Sequence, residues 1–173
     1  MMNNRAAGNR ALFGAIFGLS VLMGFIAFGL LTRLYLMPVL AATDAFTALT
    51  ALVAIHAYRF IGLTFLLPGV VAPEGLPPGF ARPAAYGDLV AAILAVVAAL
   101  MLHAHLPGAL AVTWVFNLWG TADLVNAMVQ GPRRLASKGP GQLGASFFIP
   151  TVIVPALLVT HGLIFWQLLR AMH

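Results

Sequence analysis

The sequence predicts an all-α, polytopic integral membrane protein, with one domain over residues 1–173 that forms a bundle of five transmembrane helices. Of the 173 residues, 62% are hydrophobic and 8% are charged, whereas a soluble domain carries about a quarter charged residues. The mean hydropathy of +1.00 is too high for a globule that must cover itself with polar side chains. Five apolar runs are each long enough to cross about 30 Å of hydrocarbon as a helix. We therefore expect the lipid bilayer to surround most of the chain.

Turn-forming residues separate the five runs. Met37-Pro38 ends the first run, Leu106-Pro107-Gly108 ends the third, and proline- and glycine-rich stretches follow the second and the fourth. Each run is expected to be helical because a segment in lipid must satisfy its own backbone hydrogen bonds. The predicted helices cover residues 11–36, 45–71, 84–102, 109–129 and 145–169.

The first run shares one feature with a secretory signal peptide, because Arg5 and Arg10 precede it. Its apolar region is too long for that role, and Val39-Leu40-Ala41, which loosely fits a cleavage pattern, lies well beyond Arg33. We therefore expect this run to be a helix of the mature protein.

Lysine and arginine residues in the loops predict the orientation of the bundle. With a cytoplasmic N-terminus, six of these residues lie inside and two lie outside, while Arg59 lies within the second run. The inside residues are Arg5, Arg10, Arg82, Arg133, Arg134 and Lys138, and the outside residues are Arg33 and Arg170. The count predicts an N-in, C-out protein, which we expect in a bacterial cytoplasmic membrane. The basic residues are scattered between apolar runs, so the net charge of +5 predicts no nucleic-acid partner.

Small residues recur at helical spacing in the first run, as Gly14 with Gly18 and Ser20 with Gly24. Such steps allow another helix backbone to approach closely. We expect them to pack within the bundle, or alternatively between copies of the chain in a homo-oligomer or within a larger membrane complex.

Five ionisable residues lie in the apolar runs, where each costs several kcal/mol unless it faces the bundle interior or a partner. They are His56, Arg59, Asp88, Asp123 and His161. A rise of about 1.5 Å per residue places His56, Asn117 and His161 at nearly one height, about 3 to 4.5 Å to the outer side of the bilayer centre. Arg59 and Asp123 lie on the cytoplasmic side, about 4.5 Å apart in height, which an arginine side chain can span.

These heights predict one buried polar site formed by the second, fourth and fifth helices. One part is the pair His56 and His161, with Asn117 placed to orient a ring, and the other is an ion pair between Arg59 and Asp123. His56 and Arg59 share a helix face because they are three residues apart.

Two imidazoles that face each other across a bundle are a common way to hold the iron of a b-type haem. The leading hypothesis is therefore a haem-binding, redox-linked protein with His56 and His161 as axial ligands. Arg59 would pair with a haem propionate, and aromatic side chains would line the pocket. In the alternative interpretation, each histidine only hydrogen-bonds a neighbouring helix.

A second hypothesis is a small transporter or channel with a water-filled pathway. Pro150 and Pro155 favour it, because prolines within a helix leave backbone carbonyls free near a binding site. The chain is short and has no internal repeat, so transport would require an oligomer. The pathway would be lined by His56, Arg59, Asn117, Asp123 and Asn126. A third hypothesis is an accessory structural subunit, which would tolerate replacement of both histidines.

Asp88 receives a different interpretation because it follows Pro83 at the start of the third run. A carboxylate there complements the positive end of the helix dipole. Asp44 has the same role before the second helix, next to Thr43 as a candidate N-cap.

Missing residues exclude several kinds of site. The chain has no cysteine, which removes disulfides, thiolate metal sites and cysteine nucleophiles. It also lacks a glycine-rich phosphate-binding loop and an HExxH metal motif. The sequence leaves open whether the protein is an enzyme.

Overall fold

The structure is a computed structural model that describes residues 2–135 and 142–172. Within these residues the chain forms five helices and no strand, apart from an isolated bridge between Pro68 and Val71. The predicted all-helical fold is confirmed, and Lys138 lies outside the described residues. Four helices are long and apolar enough to cross a membrane, namely Ala11–Ala42, Ala45–Leu66, Pro78–His103 and Gly144–Arg170. The remaining helix, Ala109–Leu135, is long enough but carries more polar side chains.

The first helix, α1, is continuous over residues 2–42. It is α-helical over Met2–Leu31, π-helical over Thr32–Leu36 and α-helical again over Met37–Ala42. The predicted end at Met37-Pro38 is therefore wrong. Pro38 lacks an N–H and its ring crowds the carbonyl four residues earlier, and the wider π turn just before it allows the helix to continue.

The second helix, α2, begins after Asp44, which accepts a hydrogen bond from the backbone N–H of Thr47 at 2.9 Å. Asp44, rather than Thr43, is thus the N-cap, and the hydrogen bonds from Thr47 lower the pKa of its carboxyl group. The helix is an α-helix over Ala45–Ile55 and a 3-10 helix over His56–Leu66. It ends five residues before the predicted boundary, where Pro68 and the positive φ of Gly69 form a turn.

The 3-10 part of α2 aligns the residues that form the site. Side chains three residues apart lie directly above one another in a 3-10 helix. His56, Arg59, Gly62 and Phe65 follow this spacing, and all four are buried. With a rise of about 2.0 Å per residue, this row extends about 18 Å along the bundle.

The third helix, α3, covers Pro78–His103 and begins six residues before the predicted start. Pro78 lies in its first turn, where a missing N–H breaks no helical hydrogen bond. Asp88 is therefore about 15 Å from the start of the helix rather than in its opening turns. The fourth helix, α4, covers Ala109–Leu135 and packs against α3 and the last helix.

The last helix, α5, combines a 3-10 turn over Gly144–Phe147, a π turn over Ile149–Ile153 and an α-helix over Val154–Arg170. Pro155 follows its π turn as Pro38 follows the one in α1. Because Pro155 has no N–H to donate to the Thr151 carbonyl, that carbonyl is open to other contacts. Gly24 of α1 packs directly against it.

Two apolar clusters fill the bundle, one toward each end. The cluster nearer the C-terminal end of α5 contains Leu49, Leu102, Phe116, Ile164 and Leu168, among others. The cluster at the opposite end contains Phe65, Phe80, Leu124, Ile149 and Val154, among others. The buried ionisable residues lie between them.

Gly24→Ala is expected to destabilise the bundle, because a Cβ there would lie 2.7 Å from the Thr151 carbonyl oxygen and 3.1 Å from Pro155 Cγ. Overpacking of this kind costs about 1–3 kcal/mol. Gly18→Ala is the matched control, since no atom of the described residues lies within 4 Å of its added Cβ. Thermal unfolding in detergent micelles should show a lower midpoint for Gly24→Ala only. Equal midpoints for the two variants would contradict this packing of α1 on α5.

Candidate functional site

Arg59 is the centre of the buried polar site, and only 1% of its surface is exposed. Its Nε donates to Asp88 Oδ1 at 2.8 Å, and its Nη2 donates to Asp123 Oδ2 at 2.7 Å. Its Nη1 donates to the Gly120 carbonyl oxygen at 3.1 Å. One guanidinium group therefore joins α2, α3 and α4.

Asp88 does not lie at the start of its helix, where a carboxylate that complements the helix dipole would be. It is 7% exposed, and its Oδ1 lies 2.8 Å from Arg59 Nη2 as well as from Nε. The interpretation is wrong because α3 starts at Pro78, which places Asp88 at the depth of Arg59. The structure thus contains the expected contact of Arg59 with Asp123, and a second carboxylate that was not expected there.

Asn117 fixes the ring of His161. Its Nδ2 donates to the His161 backbone carbonyl at 3.2 Å, so its Oδ1 is the atom that faces His161 Nδ1 at 2.6 Å. An amide oxygen only accepts, so a proton is on Nδ1. His161 Nε2 faces Arg59 Nη1 at 3.5 Å, and because a guanidinium only donates, Nε2 is the acceptor. This pattern describes a neutral imidazole.

Thr160 fixes the ring of His56 in the same way. The Thr160 hydroxyl donates to the Leu157 carbonyl at 2.9 Å, so His56 Nε2 must donate to Thr160 Oγ1 at 3.0 Å. The buried His56 Nδ1 has no hydrogen-bond partner among the described residues. A proton on Nδ1 would leave a buried charge without an acceptor, so His56 is also a neutral imidazole. We call His56, Arg59, Asp88, Asn117, Asp123, Thr160 and His161 the polar cluster.

The two histidine rings lie against each other, with their centroids 4.2 Å apart and their planes at 50°. Phe116 packs on both, at 5.2 Å from His56 and 5.5 Å from His161. Iron between two imidazoles needs ring centroids about 6 Å apart, since each metal–nitrogen bond is about 2 Å long and each centroid lies beyond its ligating nitrogen. The rings would thus have to separate for a porphyrin to enter, and haem binding stays a prediction.

Three glycines make room for the polar cluster. A Cβ at Gly62 would overlap Asp88 Oδ2, and a Cβ at Gly87 would overlap Asp123 Oδ1. A Cβ at Gly120 would lie 2.6 Å from His161 Cε1 and 2.7 Å from Arg59 Nη1. Each of α2, α3 and α4 therefore lacks a side chain at the point where the ionic groups meet.

A cavity of about 280 Å³ adjoins the two carboxylates. Residues of all five helices line it, and most of them are apolar. Asp88 and Asp123 are the ionisable groups among the described residues that line it, whereas Arg59 is not in its wall. The carboxylates therefore separate the guanidinium from the cavity. Asn126 is exposed and does not line this cavity, in contrast to its assignment to a transport pathway.

A family model for a domain of unknown function, DUF8737, matches residues 16–169. The chain belongs to the DUF8737 family. The matched residues include the whole polar cluster, so the candidate site lies within the DUF8737 region. No curated protein and no solved structure matches the chain.

Some residues of the site in this DUF8737 chain were not expected from the sequence, namely Asp88, Thr160 and the three glycines. The signal for Asp88 was Pro77-Pro78, because proline is favoured at the first position of a helix. Starting α3 there brings Asp88 to the depth of Arg59. Nothing in the sequence points to the glycines, because their role depends on which side chains face them across the bundle.

Arg59→Gln is expected to lower the unfolding free energy by about 3–5 kcal/mol, because it leaves one buried and one partly buried carboxylate without a cation. Adding Asp88→Asn and Asp123→Asn should recover most of this loss, since no charge is then stranded. Arg33→Gln removes an exposed guanidinium and is the control. Denaturant titration in micelles measures the unfolding free energy of the single variant, the triple variant and the control. A single mutant as stable as wild type would show that Arg59 is not needed to balance these carboxylates.

Gly120→Ala is expected to separate Arg59 from His161 and to lower the unfolding midpoint. Gly162→Ala is the matched control, because this glycine is next to His161 in sequence and, in the part of the chain that the structure describes, nothing lies within 4 Å of an added Cβ. If thermal unfolding and the histidine NMR resonances changed equally in both variants, the close contact at Gly120 would be refuted.

Proposed function

We propose that this protein is a small integral membrane carrier with five transmembrane helices and a cytoplasmic N-terminus, whose polar cluster holds an exchangeable proton. The observation that carries the proposal is that Asp88 and Asp123 share one guanidinium at the wall of a cavity. This corresponds to the transporter hypothesis rather than to haem binding.

The charges of the polar cluster do not cancel. Two ionised carboxylates and one guanidinium give a net charge of −1. The histidines add no charge, because His161 Nε2 faces the Arg59 donor and the buried His56 Nδ1 has no acceptor among the described residues. An uncompensated charge in the low-dielectric interior costs several kcal/mol. A proton shared by Asp88 and Asp123 restores neutrality. We therefore infer that the resting cluster holds one proton and that the cavity gives it a way in and out.

Polar contacts continue on the other side of Arg59. Its Nη1 faces His161, the His161 ring lies against His56, and His56 donates to Thr160. Carboxylates and imidazoles in sequence are the groups used by proton relays in membrane proteins. The apolar cluster that contains Phe116 closes this side of the bundle, so passage of a proton requires a conformational change.

The 3-10 part of α2 is the element that we propose changes conformation. Such runs rarely exceed three or four residues and often mark hinges or strain, and this one has 11 residues. Three residues turn about 360° in a 3-10 helix but about 300° in an α-helix. Conversion to an α-helix would rotate Arg59 by about 60° relative to His56. The guanidinium would then leave a carboxylate, which favours uptake of a proton at that carboxylate.

Infrared spectroscopy of the protein in lipid tests the proton site. Wild type is expected to show one protonated carboxylic acid at neutral pH, with a C=O band that disappears as the pH rises. Asp88→Asn and Asp123→Asn should each remove the band, because Arg59 then balances the one remaining carboxylate. Glu74→Gln, which removes an exposed acid outside the cluster, should retain it. A wild-type spectrum without a protonated carboxylic acid would contradict the proposal.

Proton flux into proteoliposomes separates a carrier from a static proton site. Under an imposed membrane potential, wild type and Glu74→Gln should acidify the vesicle interior, and Asp123→Asn should not. A titrating carboxylic acid without any flux would favour the structural-subunit hypothesis.

A further inference from the structure

We infer that the cavity binds a hydrophobic organic monocation, such as an aryl-alkyl ammonium ion, with its charge at Asp88 and Asp123. The inference rests on the proposed function in one respect, because the cation takes the place of the exchangeable proton. Four features of the cavity support it: carboxylate oxygens that Arg59 leaves available, aromatic walls, volume and the scarcity of other oxygen ligands.

Each carboxylate keeps one oxygen without a donor. Arg59 donates to Oδ1 of Asp88 and to Oδ2 of Asp123. Within the described part of the chain, no hydrogen bond reaches Asp88 Oδ2 or Asp123 Oδ1. Asp88 and Asp123 both line the cavity, so a positively charged ligand in it would pair these oxygens.

The walls of the cavity suit a cation that also carries apolar groups. Phe13, Phe17, Phe65 and Phe80 line it, and the rings of Phe65 and Phe80 meet edge to face with centroids 5.7 Å apart. Aromatic faces attract organic cations, and quaternary ammonium ions are bound by aromatic cages. The carboxylates disfavour an anionic ligand in the same space.

The volume limits the size of the ligand. An apolar cavity of about 150 Å³ binds benzene, and this cavity of about 280 Å³ is nearly twice as large. It therefore fits a ligand with about ten heavy atoms, which corresponds to one aromatic ring with a small ammonium group.

A divalent metal ion fits less well. Calcium takes six to eight oxygen ligands, and magnesium requires an octahedral shell. The described residues contain no group of three or more His, Cys, Asp or Glu side chains placed to hold a metal ion. Two carboxylates among apolar side chains match the single charge of an ammonium ion instead.

The test compares benzyltrimethylammonium with neopentylbenzene, which has the same shape but carbon in place of the charged nitrogen. Isothermal titration calorimetry on the full chain in detergent micelles should show saturable binding of the cation. Neopentylbenzene should compete at least tenfold more weakly. Equal competition would overturn the inference, because the cavity would then recognise apolar shape without charge.

Variants locate the binding. Asp88→Asn and Asp123→Asn should each weaken binding of benzyltrimethylammonium at least tenfold, and Glu74→Gln should not change it. Ala127→Phe fills the cavity without altering a carboxylate and should also abolish binding, so the test survives if an aspartate variant does not fold. Unchanged binding in Ala127→Phe would overturn the inference.

Proton release separates this inference from the proposed function. Titrations in two buffers with different ionisation enthalpies give the number of protons released for each cation bound. Release of about one proton for each cation bound supports both the cation site and the exchangeable proton. Charge-selective binding without release keeps the cation site but contradicts the exchangeable proton. A protonated carboxylic acid in the infrared spectrum without any cation binding keeps the proton site and overturns the inference.

Discussion

The burial of one guanidinium group determines how the helices of this bundle meet. A charge in a low-dielectric interior must be paired and fully hydrogen-bonded, and Arg59 meets this condition through Asp88, Asp123 and the Gly120 carbonyl. These partners come from α3 and α4, so both helices must approach α2 closely. Glycines at the contact points allow that approach, and the 3-10 geometry of α2 points Arg59 and His56 in the same direction.

Proline and glycine have complementary roles in the packing of α1 on α5. Each helix passes a proline after a π turn, and the carbonyl of Thr151, to which Pro155 cannot donate, faces Gly24. A backbone irregularity in one helix thus becomes a contact surface for another. No atom of the described residues lies within 4 Å of a Cβ added at Gly14 or Gly18. A homo-oligomer or a larger complex through α1 stays a prediction.

Much of the candidate site follows from residue type and depth. The sequence places His56, His161 and Asn117 at one height and Arg59 within reach of Asp123, and the structure brings all five together, as Arg59–Asp123, His161–Asn117 and His56–His161 contacts. The predicted depth of Asp88 is wrong because the sequence interpretation starts α3 after Pro83, whereas the helix starts at Pro78. One wrong helix boundary accounts for this error. The partners of the histidines could not be predicted, because a ring nitrogen finds its donor or acceptor through the rotation of its helix.

Composition and a fixed rise per residue are sufficient to predict a helical fold with spans apolar enough for a membrane, and a few ionisable residues deep within it. These properties need no knowledge of which helices are neighbours. The tertiary structure was required to establish which residues face one another, that two carboxylates share Arg59, and that a cavity adjoins them. The reason is that rise fixes height along the bundle, whereas the rotation and spacing of helices depend on side chains far apart in the chain.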